Sequence, residues 1–100
     1  MKVVFVSGPY RGNVSENIAH AREASIRLWQ AGYAVFCPHM NTAHFDGLCH
    51  DDVWLKGDIE ILKRCDAAYF LNTWRQSEGS RIEHKLAQEL GLECLYEELL

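Results

Sequence analysis

Short uninterrupted apolar runs alternate along this chain with longer stretches in which apolar residues recur every three or four positions. Val3-Val4-Phe5-Val6 is β-branched and aromatic with no polar alternation, the pattern of a strand covered on both faces. Ile18, Ala21, Ser25, Leu28 and Trp29 then trace one helical face, with Ser15 as cap, Glu16 in the first turn and Gly32 closing the helix. Tyr33-Ala34-Val35-Phe36 predicts a second strand, stopped by Pro38. From Asp51 to Cys65 a helical pattern resumes, with Trp54, Asp58, Ile61, Leu62 and Cys65 on one stripe. Ala67-Ala68-Tyr69-Phe70-Leu71 reads as a third, buried strand. Ile82, Leu86 and Leu90 recur every four residues, so a helix begins near Ser80, and Gly91 is placed to end it. Leu92 to Tyr96 makes a last short strand before an acidic and leucine tail, Glu97-Glu98-Leu99-Leu100.

The order β-α-β-α-β-α-β predicts a parallel sheet of about four strands with helices on both faces. That is an α/β, three-layer Rossmann/flavodoxin-like architecture, and the length predicts a single domain over residues 1–100. Right-handed crossovers place the loops after Gly8, Pro38 and Asn72 along one edge. Ligands of open α/β sheets bind beyond the carboxyl ends of the strands, at that edge. The stretch from Cys37 to His50 shows no periodicity and is rich in His, Asn, Thr and Gly. A connection this long in a compact domain is more often functional than accidental.

Three features at that edge carry candidate chemistry. Glu83 falls in the first turn of the last helix, where the partial positive charge of a helix N-terminus keeps a carboxylate ionised. An ionised, positioned carboxylate is one kind of nucleophile used on sugar C1. Ser80-x-x-Glu83 is also a capping box, and from these residues alone the cap is favoured. Gly8-Pro9-Tyr10-Arg11-Gly12 joins the first strand to the first helix: glycines let backbone approach a ligand, Arg11 suits a phosphate or sugar hydroxyl, and Tyr10 suits orienting a carboxylate. The same spacing fits a plain turn, and it is neither G-x-G-x-x-G nor a P-loop, so no dinucleotide or nucleoside triphosphate site is signalled. Asp58 interrupts an apolar stripe, and burying an unpaired carboxylate is costly. Either it serves the site, with Gly57 beside it admitting a ligand, or the helix restarts there with Asp58 as an ordinary N-cap.

Composition narrows the classes. A net charge of −4 with no basic run argues against binding along a nucleic-acid polymer, while a small anion held by one or two arginines stays open. Cys37, Cys49, Cys65 and Cys94 form no C-x-x-C pair and no signal peptide precedes Lys2, so a reducing cytoplasm is the expected location. No apolar run approaches the roughly 18–20 residues of a membrane span. His39, His44, Cys49, His50, Asp51 and Asp52 crowd the long loop without C-x2-4-C or H-E-x-x-H spacing, so neither a metal nor another cofactor is expected. A chain of 100 residues buries a modest core, which suggests a homodimer or a higher homo-oligomer.

Gly79, Glu83, Ala87 and Gly91 follow one another at four-residue spacing. With the segment Val6-Ser7-Gly8-Pro9-Tyr10-Arg11-Gly12, this pattern resembles the nucleoside 2-deoxyribosyltransferase superfamily, from Val3 to Tyr96 and in the same element order. The resemblance implies that Glu83 is the nucleophile. The first loop is similar to the G-x-x-R-G form of 2'-deoxynucleoside 5'-monophosphate N-glycosidases, where it contacts the 5'-phosphate. Those enzymes also carry a phosphate-binding serine six residues before the glutamate, a place that Ser77 takes here. The superfamily's acid/base or sugar-binding aspartate lies eight residues before the aspartate that opens the next strand, a spacing that Asp58 and Asp66 reproduce. Asp66 itself reads as structural.

By this resemblance Glu83 and Asp58 are the catalytic pair, and Gly8, Tyr10, Arg11, Gly12, Ser77 and Gly79 bind substrate. The chain departs from the pattern in two ways. Phe5 stands where relatives often have a tyrosine near the nucleophile, so Tyr10 would take that role, and no obvious C-terminal segment is present to complete a neighbouring subunit's site. Some of His39, Asn41 and Phe45 either touch a nucleobase or only pack the loop. His84 reads as a surface histidine, Trp29 and Trp54 as core, and Trp74 as the wall of a base pocket or of a subunit interface. Arg75 and Arg81 are further candidates for an anion. The implied function is cleavage, by hydrolysis or transfer, of the N-glycosidic bond of a nucleoside or nucleoside 5'-monophosphate. The alternative is a catalytically inactive nucleotide-binding or sensing module of the same fold.

Overall fold

Side chains alternate across a strand, so each strand of a covered sheet feeds two cores. In β1 (Val3–Ser7), Val4 and Val6 face one way and Phe5 the other, and all three are fully buried. The computed structural model describes residues 1–97, and the Glu98-Leu99-Leu100 part of the acidic and leucine tail lies outside the described residues. After β1 come α1 (Val14–Gln30), β2 (Ala34–Phe36), α2 (Pro38–Asn41), α3 (Asp51–Leu62) and β3 (Ala67–Phe70). A 3-10 turn (Trp74–Gln76), α4 (Glu78–Glu89) and β4 (Glu93–Tyr96) complete the order.

The four strands pair in the order β2-β1-β3-β4, all parallel, with Phe5 opposite Phe36 and Ala68, and Tyr69 opposite Leu95. Val4, Val6, Ala67, Tyr69 and Leu71 pack against Ala21, Ala24 and Leu28 of α1. On the opposite face Phe5, Ala68 and Phe70 pack against Leu62, Cys65, Trp74 and Ala87, contributed by α3, α4 and the segments beside them. The expected three-layer α/β architecture is therefore the observed one. Asp66 has the structural role expected of it, for its Oδ2 accepts from the Val3 amide at 2.8 Å and ties β1 to the entry of β3.

The helix starts differ from the sequence expectation. Asn13, not Ser15, caps α1, its side chain accepting from the Glu16 amide at 3.2 Å. Trp29 is 56% exposed and lies outside the core, because α1 buries the face made by Ala21, Ala24, Ser25 and Leu28. Helix α3 runs unbroken through Gly57 and Asp58 under a His50 cap, so Asp58 is not an N-cap. In α4 the cap is Ser77, whose Oγ accepts from the Ser80 amide at 3.2 Å. The capping box at Ser80 is thereby replaced, and Glu83 moves into the second turn. At the other end Gly91, with φ of +73°, follows the last turn as expected. Pro38 occupies the first turn of the short helix α2, which sits inside the stretch that lacked periodicity.

Candidate active site

Beyond the carboxyl ends of β1 and β3, the β1–α1 loop, α2, α3 and the start of α4 enclose a cavity of about 590 Å³. Ser7 ends β1 two residues after Phe5 and therefore points to the same face, the one that α4 covers. Its hydroxyl donates to Glu83 Oε1 at 2.6 Å. Ser7 is wholly buried and Glu83 is 7% exposed, so the bond forms almost out of contact with solvent, with Glu83 on the cavity wall. Burial pushes the Glu83 carboxyl up to about 7, the Ser7 hydrogen bond pulls against that rise, and the negative charge of Asp58 adds to it. The expectation that the helix N-terminus keeps Glu83 ionised is corrected here. The macrodipole acts mainly within the first turn, and desolvation outweighs it at this site.

Asp58 lines the same cavity from α3, half-buried, and burial raises its carboxyl to about 6. Leu62 and Cys65 continue its stripe into the core, which fixes the face of α3 that Asp58 presents. Gly57 is exposed, with open space where a side chain would go, so nothing approaches it closely.

The N-terminus of α4 forms another wall, with Ser77, Glu78, Gly79 and Ser80 lining the cavity. The first amides of a helix lack intrahelical partners, and the Ser77 hydroxyl takes that of Ser80. Ser80 Oγ is buried with no hydrogen-bond partner among the described residues, and so is the indole Nε1 of Trp54, another wall residue.

The β1–α1 loop is organised differently from the expectation. Gly8 lines the cavity, but a Cβ there would lie 2.5 Å from Leu71 Cδ1, so internal packing already demands glycine. Gly12 does not line the cavity; its φ of +96° serves the turn into α1. Tyr10 does not orient Glu83. Its hydroxyl donates to Asp46 Oδ1 at 2.7 Å and accepts from the His44 amide at 2.7 Å, tying the loop to residues 42–48. Arg11, also on the wall, pairs with Asp51.

His39 is buried on the wall, with Nε2 2.7 Å from the Pro9 carbonyl and Nδ1 3.7 Å from Cys37 Sγ. A carbonyl only accepts, so Nε2 carries a proton, and burial lowers the ring's pKa towards the neutral form. Both nitrogens are engaged within the protein, which makes His39 a brace for the Pro9 loop. Asn41 and Phe45 lie off the wall; Phe45 packs edge-on to Trp54, ring centroids 5.8 Å apart.

Trp74 and His84 also depart from expectation. Trp74 is buried in the core and stacks on His84 with centroids 4.2 Å apart, away from the cavity wall. His84 is half-buried rather than a surface residue, and its Nε2 lies 2.6 Å from the Tyr96 hydroxyl. Arg75 and Arg81 are not on the wall. Among the described residues no three His, Cys, Asp or Glu side chains converge as metal ligands, and no helix is long and apolar enough to cross a membrane.

Sequence reasoning missed Ser7 as the partner of Glu83 and Ser80 as a wall residue. Both had a usable signal. Ser7 shares the face of Phe5, and Ser80 lies three residues before Glu83, on the same side of α4.

Two solved structures share this arrangement of elements. A 2-deoxyribosyltransferase from Bacillus psychrosaccharolyticus superposes with a TM-score of 0.75 at 19% identity, covering 94% of this chain and 70% of its own. A 2-deoxyribosyltransferase from Leishmania mexicana superposes with a TM-score of 0.71 at 16% identity, covering 96% of this chain and 63% of its own. No curated protein matches the sequence. Residues 2–96 match the family described as domain of unknown function DUF4406, so the chain belongs to that family and carries it on the fold of the 2-deoxyribosyltransferases.

Proposed function

We propose that the chain, one deoxyribosyltransferase-like domain over residues 1–100, cleaves the N-glycosidic bond of a nucleoside or nucleoside 5'-monophosphate. Glu83 is the nucleophile and Asp58 the assisting acid. The observation that carries this reading is the pair itself: two carboxyls from separate helices on one cavity wall, coupled closely enough that the charge of Asp58 raises Glu83.

The chemistry follows from where charge develops. Cleavage passes through an oxocarbenium-like state at sugar C1, which a carboxylate beneath it stabilises, and the leaving base departs more readily once protonated. With Asp58 raised to about 6 and Glu83 to about 7, slightly acid solution leaves one proton for the two carboxyls. Burial favours that proton on Glu83, against the Ser7 hydrogen bond. Positive charge growing on C1 reverses the preference, placing the anion on Glu83 and the proton on Asp58 or the departing base. Ser7 holds one oxygen of Glu83 and leaves the other for C1. Water then completes a hydrolase, or a second base a transferase.

Gly8, Tyr10 and Arg11 of the first loop and Ser77 and Gly79 of α4 stand on the wall as the substrate contacts, while Gly12 shapes the turn. No metal or organic cofactor enters the reaction. A cytoplasmic homodimer or higher homo-oligomer completes the reading, and an apolar groove of about 400 Å³ lined by Tyr33, Leu95 and Tyr96 is the surface offered to a second subunit. Incubation with a nucleoside and nucleotide panel, with free base followed by chromatography, tests the reading. Base release by the parent, lost in Glu83→Ala with ligand binding retained, supports it. A parent that binds nucleotides and releases no base is a sensing module instead, and one that binds none is an interaction subunit.

A further inference from the structure

The cavity has an acidic wall. Six carboxyl side chains line it, Asp46, Asp51, Asp52, Asp58, Glu78 and Glu83, and among the described residues Arg11 is its one lysine or arginine. Arg11 is already engaged, since its guanidinium pairs with the carboxylate of Asp51, the first residue of α3. A phosphate monoester brings nearly two negative charges at neutral pH. In this pocket it would meet a wall of like charge and a candidate cation that already has a carboxylate partner. The first-turn amides of α4 attract anions, yet Glu78 opens that turn and lines the same space. An uncharged nucleoside meets none of these conflicts.

We propose that Asp51 is a specificity-determining residue: by holding Arg11 it turns phosphorylated nucleosides away and leaves the pocket selective for the uncharged nucleoside. The proposal rests on the reading of the cavity as a nucleoside site and narrows its substrate class. Both side chains of the pair are well exposed, so the pair adds little to folding stability. Loss of the pair is therefore read in ligand binding rather than in a melt.

The test is calorimetric titration of the full chain with each 2'-deoxynucleoside and with its 5'-monophosphate. The proteins are the parent, D51N, D51N/R11Q and D51E. The parent binds nucleoside the more tightly, and D51N moves the ratio of the two dissociation constants towards the monophosphate by about tenfold. That is the Coulomb effect of one carboxylate on a dianion about 6 Å away in water-like surroundings. The gain shrinks as salt is raised and disappears in D51N/R11Q. D51E, which keeps the charge, keeps the parent ratio and separates charge from damage to the start of α3. An unchanged ratio in D51N, or a parent that prefers the monophosphate, overturns the proposal. If no base is released but the nucleoside preference and its response to D51N persist, the catalytic reading falls and this one stands. Absence of binding to every nucleoside and nucleotide overturns both.

Discussion

Glu83→Gln should make the protein more stable above neutral pH and slightly less stable in acid. Burial lifts the Glu83 carboxyl from an ordinary 4.5 to about 7, so the folded protein keeps a proton that the unfolded chain releases. The stability carried by that proton is complete below pH 4.5 and is lost as pH rises through 7. From 7 − 4.5 = 2.5, at 1.36 kcal/mol for each pH unit, the loss amounts to about 3 kcal/mol. Glutamine has the same shape and no charge, and its carbonyl oxygen can still accept from Ser7. Desolvating its NH2 group takes back about 1 kcal/mol. The net gain is therefore about 2 kcal/mol at pH 8.5, a rise in Tm of roughly 8–16 °C for a domain this small. At pH 4.5 only the amide term remains, and the variant is weaker by about 1 kcal/mol. Thermal melts of parent and variant between pH 4.5 and 8.5, followed by circular dichroism, read the difference directly, and no substrate is needed. If the two Tm curves run parallel across that range, Glu83 does not titrate within the fold and the electrostatic account of the pair is wrong.

Two further outcomes follow from the site. Ser7→Ala removes the donor that favours ionised Glu83, an advantage of about 1–2 kcal/mol for the anion, so the acid limb of the pH profile for base release moves up by about one pH unit; an unmoved limb would show that Ser7 only packs. Gly8→Ala places a methyl 2.5 Å from Cδ1 and 2.9 Å from Cγ of Leu71, which is 1% exposed and has no room to turn away. Such overpacking costs about 1–3 kcal/mol in urea unfolding, and the double variant with Leu71→Ala should recover part of it; strictly additive losses would contradict the contact.

The helix starts show where sequence reading reached its limit. Ser77 and Ser80 are both good caps, and each begins a sensible α4. The choice depends on how the chain leaves the 3-10 turn at Trp74–Gln76, a turn held by the burial of Trp74 against Phe70, with ring centroids 5.5 Å apart. A three-residue difference in the cap moves Glu83 from a capping position to a buried wall. Trp29 marks a related limit. Periodicity identifies the side of a helix that is rich in apolar residues, and burial further depends on what lies opposite. The loop position of Tyr10 suits orienting the carboxylate, yet its hydroxyl reaches Asp46, 36 residues away in a segment without periodic signal.

The order of the four strands and three long helices, though not the short helix α2, could be read along the chain: four short runs rich in apolar residues, separated by helical stripes, with Gly79, Glu83 and Asp58 near the loops at one edge. These are local properties, set by side-chain period and by backbone sterics within a few residues. The state of the site came from packing alone. Ser7 and Glu83 are 76 residues apart, and they meet because α4 packs across the end of β1. That same packing removes water from Glu83 and brings Asp58 within electrostatic reach. Desolvation and Coulomb coupling depend on distance through space, and no pattern along the chain encodes that distance.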